Sequence, residues 1–246
     1  MSKQHHKSPL LIGLRAARAN LVPGLIVQAL MVALVLGYYF VPSSRFLLQS
    51  LADAKDKIGL PFPMLATFLA GAVAPEIVKI LYFQRGRPRK NNVYVMSFTG
   101  INWACQGAIV YYMYRMQSHI FGDAIDFRTI APKVLVDQFL FNPFFAAIVN
   151  TIVYDLVHRG FSGRNLRSCL TWQYYKSNVL PVLVATWGVW VPIVTAVYSL
   201  PQPLQFPLFM LSLTFWAILL AWIGGRQAEA TKMSEAERRA ETAASI

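Results

Sequence analysis

The sequence predicts an all-α fold, an integral membrane helical bundle of about six transmembrane helices. Of its 246 residues, 56% are hydrophobic and 14% are charged, whereas soluble domains carry about 25% charged residues. Apolar runs of roughly 20 residues, the length that crosses a bilayer of about 30 Å, recur along the chain. Basic residues are concentrated in alternate connecting segments, as the orientation of membrane helices requires. The lipid bilayer is therefore the first partner that we expect.

The N-terminal segment is basic, because residues 1–20 contain Lys3, Lys7, Arg15 and Arg18 and no acid occurs before Asp53. Three interpretations fit this pattern. It is an amphipathic helix on an anionic membrane surface, a mitochondrial targeting segment, or a basic flank that holds its end of the first span inside.

Three predicted spans occupy the first half of the chain, over residues 21–40, 60–83 and 93–116. No small-residue cleavage site follows the first, so we expect it to be a retained span. Residues 42–59 are polar and predict a loop or surface helix. Small residues recur at four-residue spacing in the second and third spans, a pattern that allows close helix packing.

Three more spans are predicted over residues 130–156, 179–198 and 208–223. The fifth contains Pro181 and Pro192, which membrane bundles tolerate when neighbouring groups bond the freed carbonyls. We expect residues 201–207 to form an uncharged turn and the last span to end at Gly224–Gly225. A charged, helical tail follows from Arg226.

The distribution of Lys and Arg predicts that both termini lie inside. With this orientation the inside segments carry 16 basic residues and the outside segments carry 6, as the positive-inside rule requires. The net charge of +12 is thereby explained without nucleic acid as a partner. Residues 84–92 are strongly basic but lack the interleaved aromatic residues of a nucleic-acid site, which favours a cytoplasmic loop.

Polar residues within the spans are the candidate functional residues. Asp137 needs most explanation, because a charged side chain at mid-membrane costs about 2.5–3.5 kcal/mol even on insertion scales. Each embedded acid has a base within one helical turn, and for Asp137 this base is Lys133, which we expect to extend toward the outer interface. Two interpretations stay open, a water-filled pathway and a set of structural hydrogen bonds. The candidate pore-lining or polar-core residues are Glu76, Lys79, Asn102, Gln106, Lys133, Asp137, Gln138, Asn142 and Asn150.

Catalysis and cofactor binding have little support in the sequence. It contains no recognisable nucleophile–His–acid set, no cluster with metal-ligand spacing and no glycine-rich phosphate loop. We therefore expect neither an enzyme nor a bound cofactor or metal.

Two motifs resemble a known family. The first is a lysine followed four residues later by Asp-Gln and then by a proline, here Lys133, Asp137, Gln138 and Pro143. The second is a tryptophan-rich approach to a Trp-Pro pair, with a second proline and further tryptophans beyond it. Its residues here are Trp172, Trp187, Trp190, Pro192, Pro203, Trp216 and Trp222. Together they resemble the family of the 22-kDa peroxisomal membrane protein and the Mpv-17 protein.

The resemblance is good over residues 131–222, faint over 65–116 and absent before about residue 60. It departs from the family pattern where Val191 separates Trp190 from Pro192, and where Thr195 and Tyr198 replace family Gln and Asn.

The resemblance implies three regions: a basic segment, extra span and loop (1–59), a family-like domain of five spans (60–225) and a charged tail (226–246). It implies a weakly selective channel or pore for small solutes, or else a non-catalytic structural or membrane-homeostasis protein. A second copy of the chain is a candidate partner. The expected location is a bacterial inner membrane, or a mitochondrial or peroxisomal membrane in a eukaryote.

Overall fold

The computed structural model describes the backbone of residues 9–244 and the side chains of residues 11, 13, 14 and 17–226. Over this part of the chain the fold is all-helical, as predicted, with no strand. Its helices are α1 (Pro9–Ala19), α2 (Leu21–Phe40), α3 (Pro42–Ile58), α4 (Pro61–Phe83), α5 (Lys90–Phe121), α6 (Phe127–Arg159), α7 (Gly163–Cys169), α8 (Trp172–Tyr198) and α9 (Gln202–Ala244).

Five of these helices are long and apolar enough to cross a membrane: α2, α4, α6, α8 and the 202–226 part of α9. Large apolar side chains on their outer faces are exposed, among them Leu25 and Leu30 of α2 and Phe144 of α6. The predicted third span lies within α5, which is 32 residues long. Its asparagines, glutamines and basic residues make it more polar than the other five helices, so a sixth span stays a prediction.

Several predicted boundaries differ from the structure. The tail is helical as expected, but the last helix runs through Gly224–Gly225 without a break. Glycine ends a helix where its backbone adopts a left-handed conformation with positive φ. The described glycines with positive φ lie elsewhere in the chain, so Gly224–Gly225 continue the helix. The uncharged turn shrinks to residues 199–201, because the helix already begins at Gln202. Pro42–Ile58 form a helix, but it is not a surface helix throughout, because Leu48, Ala52 and Lys55 are buried.

Helices α4 and α5 pack with almost no space between them. An added Cβ at Gly107 would overlap the Pro63 carbonyl oxygen, and one at Gly100 would overlap the Phe68 ring. Glycine in α5 therefore permits the close approach that the small-residue pattern predicted.

The core includes the N-terminal helices. Val27 and Met31 of α2 and Leu48 of α3 are buried in one cluster with Ile193 of α8 and Leu208 of α9. The prediction that the family resemblance begins near residue 60 stays a prediction. In the structure, α2 and α3 pack into the same hydrophobic core as the rest of the bundle.

Three prolines inside the helices free a carbonyl that a side chain of another helix bonds. A proline lacks the N–H that would bond the carbonyl four residues earlier, so Pro192 frees the Gly188 carbonyl. Gln28 of α2 donates from Nε2 to that oxygen at 2.9 Å and to the Val189 carbonyl at 3.1 Å. Gln28 interrupts an otherwise apolar span because it satisfies these groups.

The same pairing recurs at Pro207, which frees the carbonyl of Pro203. Lys55 of α3 donates from Nζ to this oxygen at 2.9 Å, and its side chain is only 2% exposed. The Nζ also lies 3.3 Å from Asp56 Oδ1, so this buried lysine has both a carbonyl acceptor and an acidic partner.

Helix α6 follows a π-helical path over Val136–Ala146, where the Ala147 N–H bonds the Asn142 carbonyl five residues back. In this register Pro143 leaves the Gln138 carbonyl without a donor. The indole Nε1 of Trp187, on α8, donates to that carbonyl at 2.9 Å. Two residues of the family-like motifs are thus joined by one hydrogen bond, and α6 is fixed to α8 beside Asp137.

Candidate functional site

A cavity of about 580 Å³ lies within the bundle, surrounded by α4, α5, α6, α8 and α9. These are the five helices of the predicted family-like region, and α1 to α3 contribute no lining residue among those described. The volume is that of a ligand pocket, since such pockets span about 300–1,000 Å³. Most of the wall is aromatic and aliphatic. Six of the nine candidate polar residues line it: Lys79, Gln106, Asp137, Gln138, Asn142 and Asn150.

Two side chains donate hydrogen bonds to the Asp137 carboxyl. The Tyr198 hydroxyl donates to Asp137 Oδ2 at 2.9 Å, and Gln138 Nε2 donates to Oδ1 at 3.0 Å. Gln117 Nε2 in turn donates to the Tyr198 oxygen at 2.9 Å. The Tyr114 ring packs edge-on against Tyr198 with centroids 5.3 Å apart. A buried chain of neutral polar groups therefore positions this carboxyl at the cavity wall.

Lys133 does not pair with Asp137. Its Nζ lies 3.7 Å from Asp123 Oδ1 and 3.5 Å from the Ser118 hydroxyl, and it sits 5.9 Å from the centre of the Tyr198 ring. The extension toward the end of the bundle was expected, but the side chain is buried and lies outside the cavity lining. In this structure Asp137 therefore has no cationic partner among the described residues.

The embedded amides form a junction between α5 and α6. Asn150 Oδ1 accepts hydrogen bonds from Asn102 Nδ2 at 2.7 Å and from Gln106 Nε2 at 3.2 Å. Asn102 lies behind the wall and does not line the cavity. Asn102 and Gln106 thus connect α5 to α6 through Asn150, while the choice between the two interpretations stays open.

Glu76 and Lys79 form the expected ion pair. Glu76 is buried and also accepts a hydrogen bond from Asn92 Nδ2 at 2.7 Å, which fixes the start of α5 to α4. Lys79 lines the cavity while its side chain is 42% exposed, so the cavity extends to the protein surface there. Glu76 itself does not line the wall.

The remaining tryptophans of the family-like motifs lie in different parts of the structure. Trp190 and Trp216 line the cavity. Trp222 packs against Tyr82 with ring centroids 4.9 Å apart. Trp172 is exposed and stacks on Tyr175 at 5.2 Å.

Some cavity residues were missed from the sequence. Thr67 of α4 donates to the Trp103 carbonyl at 2.7 Å, and the Trp103 indole donates to the Tyr154 hydroxyl at 3.1 Å. All three line the cavity. The sequence pattern that could have identified them is the helical spacing of polar and aromatic residues, with Trp103 near Asn102 and Gln106. Aromatic residues are equally common in apolar cores, so this pattern does not distinguish a cavity from a core.

A second polar cluster, outside the cavity lining, lies near the end of α6. Asp155 pairs with Arg159, as predicted. Its carboxylate also accepts from the Tyr174 hydroxyl at 3.1 Å and lies 3.5 Å from Cys169 Sγ. These contacts connect α7 and the start of α8 to α6. Among the described residues, no group of three or more His, Cys, Asp and Glu side chains is placed to hold a metal ion.

Comparison with protein-family models, with curated proteins and with solved structures finds no match to this chain. The resemblance to the Mpv-17 family therefore stays a prediction from the two motifs.

Proposed function

We propose that this chain is a multi-pass membrane protein that passes small solutes of mixed polarity through the cavity. The observation that carries the proposal is the convergence of six embedded polar side chains on one cavity of about 580 Å³. Polar groups that served helix association alone would not need to border a shared space. The resemblance to the Mpv-17 family points to the same class of function.

The composition of the wall favours small organic solutes over hydrated ions. A few polar groups among aromatic and aliphatic side chains orient a ligand in pockets of this kind, but they replace little of an ion's hydration shell. Asp137, Gln138 and Gln106 supply such groups, and Trp190 and Phe141 supply apolar surface.

A flux assay with purified protein in liposomes tests the proposal. Wild-type protein is expected to accelerate the entry of glycerol or urea, measured as recovery of vesicle volume by light scattering. Ala217→Leu fills the cavity and is expected to slow entry, whereas Ala33→Leu places the same side chain on the exposed face of α2 and should have no effect. Equal rates with wild-type protein and with protein-free vesicles would refute the proposal.

Two substitutions of the polar wall complete the test. Asp137→Asn and Gln138→Leu are expected to change the rate or the solute preference. Asp155→Asn is the matched control, because Asp155 is paired with Arg159 and lies outside the cavity. Intact folding of each variant is checked by thermal unfolding before reconstitution.

The second candidate function is structural, and a specific observation favours it. Gln28, Lys55 and Trp187 each satisfy a carbonyl that a proline leaves free, and Asn102 and Gln106 bond Asn150 across helices. A protein that only organises the membrane needs no more than this. It predicts no flux with any variant, and no effect of Asp137→Asn beyond an unchanged or higher free energy of unfolding.

The topology belongs to the same proposal. Six spans, with α5 as the third, place both termini and the basic segments 84–92 and 158–167 on the inside. Single cysteines introduced at Arg87 and at Gly122 are expected to react with a membrane-impermeant maleimide from opposite sides of an intact vesicle. Labelling of both from one side would refute it.

A further inference from the structure

Few ionisable side chains line the cavity of the candidate site. Within the described part of the chain they are Lys79, Tyr114, Asp137 and Tyr154. Lys79 is paired with Glu76, so these two charges offset each other. A tyrosine hydroxyl is neutral near pH 7. Of these residues, Asp137 alone can therefore give the cavity a net charge.

The contacts of Asp137 leave it able to bind a positively charged donor. Its two oxygens accept one hydrogen bond each, from Tyr198 at 2.9 Å and from Gln138 at 3.0 Å. A carboxylate oxygen has about two acceptor sites, so each oxygen can accept a further bond. Lys133, one helical turn away, lies next to Asp123 instead. Because buried charges in proteins are paired, a carboxylate here requires a positive charge from what enters the cavity.

Aromatic rings of the cavity wall are connected to the tyrosine that bonds Asp137. Seven of the lining residues are aromatic. The centroid of the Tyr114 ring lies 5.3 Å from that of Tyr198 and 6.1 Å from that of Phe209. Phe209 in turn lies 6.1 Å from Trp190. The face of an aromatic ring attracts a cation that lies within about 6 Å of its centre, so this wall favours the same charge as the carboxyl does.

An organic ammonium ion fits these features better than an inorganic cation does. The apolar wall replaces little of the hydration shell of an inorganic ion, and a single acid is a poor site for a metal. An alkylammonium brings N–H donors for the carboxyl and an apolar body for the wall. Pockets with a mostly apolar wall and a few polar groups orient small organic ligands in this way.

We propose that the cavity selects small organic ammonium ions, with Asp137 bonding the ammonium group and the aromatic wall contacting the apolar body. This inference rests on the proposed function, since it names the solute class for the same cavity.

Three ligands of nearly equal shape test the charge preference. Isobutylamine is protonated at pH 7, as a lysine side chain is, whereas isobutanol is neutral and isobutyrate is an anion. Their binding to the purified full-length protein in detergent is measured by isothermal titration calorimetry, with the heat of titration into detergent alone subtracted. We expect wild-type protein to bind isobutylammonium about 30-fold more tightly than isobutanol, the lower end of what a buried charge pair contributes when one partner is removed. Isobutyrate is expected to bind more weakly than isobutanol.

Two variants test the two parts of the site. Asp137→Asn is expected to weaken isobutylammonium binding by about 30-fold and to leave isobutanol binding unchanged, so that the preference disappears. Trp190→Leu is expected to lower the preference by about fivefold, because one aromatic face is lost. Asp155→Asn and Trp172→Leu change the same residue types outside the cavity lining and are the matched controls, with the preference unchanged. Thermal unfolding checks that each variant is folded, and the wild-type preference is tested without any variant.

The outcomes that would overturn the proposal are distinct from those of the flux assay, because binding in detergent needs no passage. Equal binding of isobutylamine and isobutanol by the wild type would refute it, and so would tighter binding of isobutyrate. An unchanged preference in Asp137→Asn would place the cation elsewhere on the protein. Glycerol or urea flux without an ammonium preference would refute this inference alone, whereas an ammonium preference without flux would support the site and refute solute passage.

Discussion

Replacing Gln28 with Leu is expected to destabilise the bundle through a carbonyl on another helix. The Gln28 amide donates to the Gly188 and Val189 carbonyls of α8, and Pro192 cannot supply the N–H that would otherwise bond the first of them. Within a bilayer no water replaces the lost donor. If this account is right, the cost depends on Pro192 and falls when the proline is removed.

The expected magnitude follows from the two bonds. A buried carbonyl left without a donor costs about 1–3 kcal/mol, while measured hydrogen bonds between membrane helices average about 0.6 kcal/mol and reach about 1.7 kcal/mol. We therefore expect Gln28→Leu to cost about 1–2 kcal/mol more in the presence of Pro192 than in a Pro192→Ala background. In that background the backbone N–H of the substituted alanine bonds the Gly188 carbonyl and makes the glutamine redundant.

A double-mutant cycle measures this coupling. The free energy of unfolding is obtained for wild type, both single variants and the double variant by titration with SDS in mixed micelles, followed by circular dichroism. Gln49→Leu, on the exposed face of α3, controls for the change from amide to aliphatic side chain. Additivity of the two substitutions within about 0.3–0.5 kcal/mol would refute the reasoning.

Three further predictions concern contacts between helices. Lys55→Met is expected to lower the free energy of unfolding by about 1–3 kcal/mol, and Pro207→Ala is expected to recover part of this loss in the titration assay. Trp187→Phe removes the donor to the carbonyl that Pro143 leaves free, and a loss of about 1–2 kcal/mol is expected. Gly107→Ala forces α4 and α5 apart, so we expect a cost of about 1–3 kcal/mol from overpacking, measured in the same way.

Matched controls exist for each of these three. Lys57→Met and Trp172→Phe alter exposed side chains of the same types, and Gly224→Ala adds a Cβ that meets no atom within 4 Å. If these controls destabilise the protein as much as the test variants do, the contacts described here are not the cause.

The helical architecture was predictable because apolar runs of membrane length are a strong one-dimensional signal. Helix ends were less predictable, as Gly224–Gly225 shows: nothing in the local sequence distinguishes a helix-ending glycine pair from one within a helix that continues. The span over 93–116 shows a related limit, since its amides lower the average hydropathy although two of them, Asn102 and Gln106, bond inside the bundle.

The sequence did not predict which side chains contact one another across helices. Local spacing predicted that Lys133 pairs with Asp137. In the structure Lys133 lies next to Asp123 instead, and Asp137 accepts a hydrogen bond from Tyr198 of α8. The sequence separation between Asp137 and Tyr198 is 61 residues, and only the packing of α6 on α8 brings them together. The same holds for Gln28, whose role depends on a proline more than 160 residues away.

Two kinds of polar side chain within the bundle have different physical reasons. Gln28, Lys55 and Trp187 donate to carbonyls that prolines leave free, so their chemistry is dictated by the backbone. Asp137 differs, because it accepts two hydrogen bonds and lines a cavity. If α6 crosses a bilayer as proposed, an asparagine in the same place would accept the Tyr198 hydroxyl without the cost of a charged group, about 2.5–3.5 kcal/mol at the centre of a membrane helix.

An acid at this position is therefore hard to explain by packing alone. If the carboxyl only held α6 to α8, Asp137→Asn would leave the bundle as stable as before or more so, and no other property would change. If the carboxyl acts on what enters the cavity, the same substitution would alter solute passage while the free energy of unfolding stays the same or rises. Flux measured on this one variant thus separates the two functions, because the structural role predicts no change in flux, and the free energy of unfolding shows that the variant is still folded.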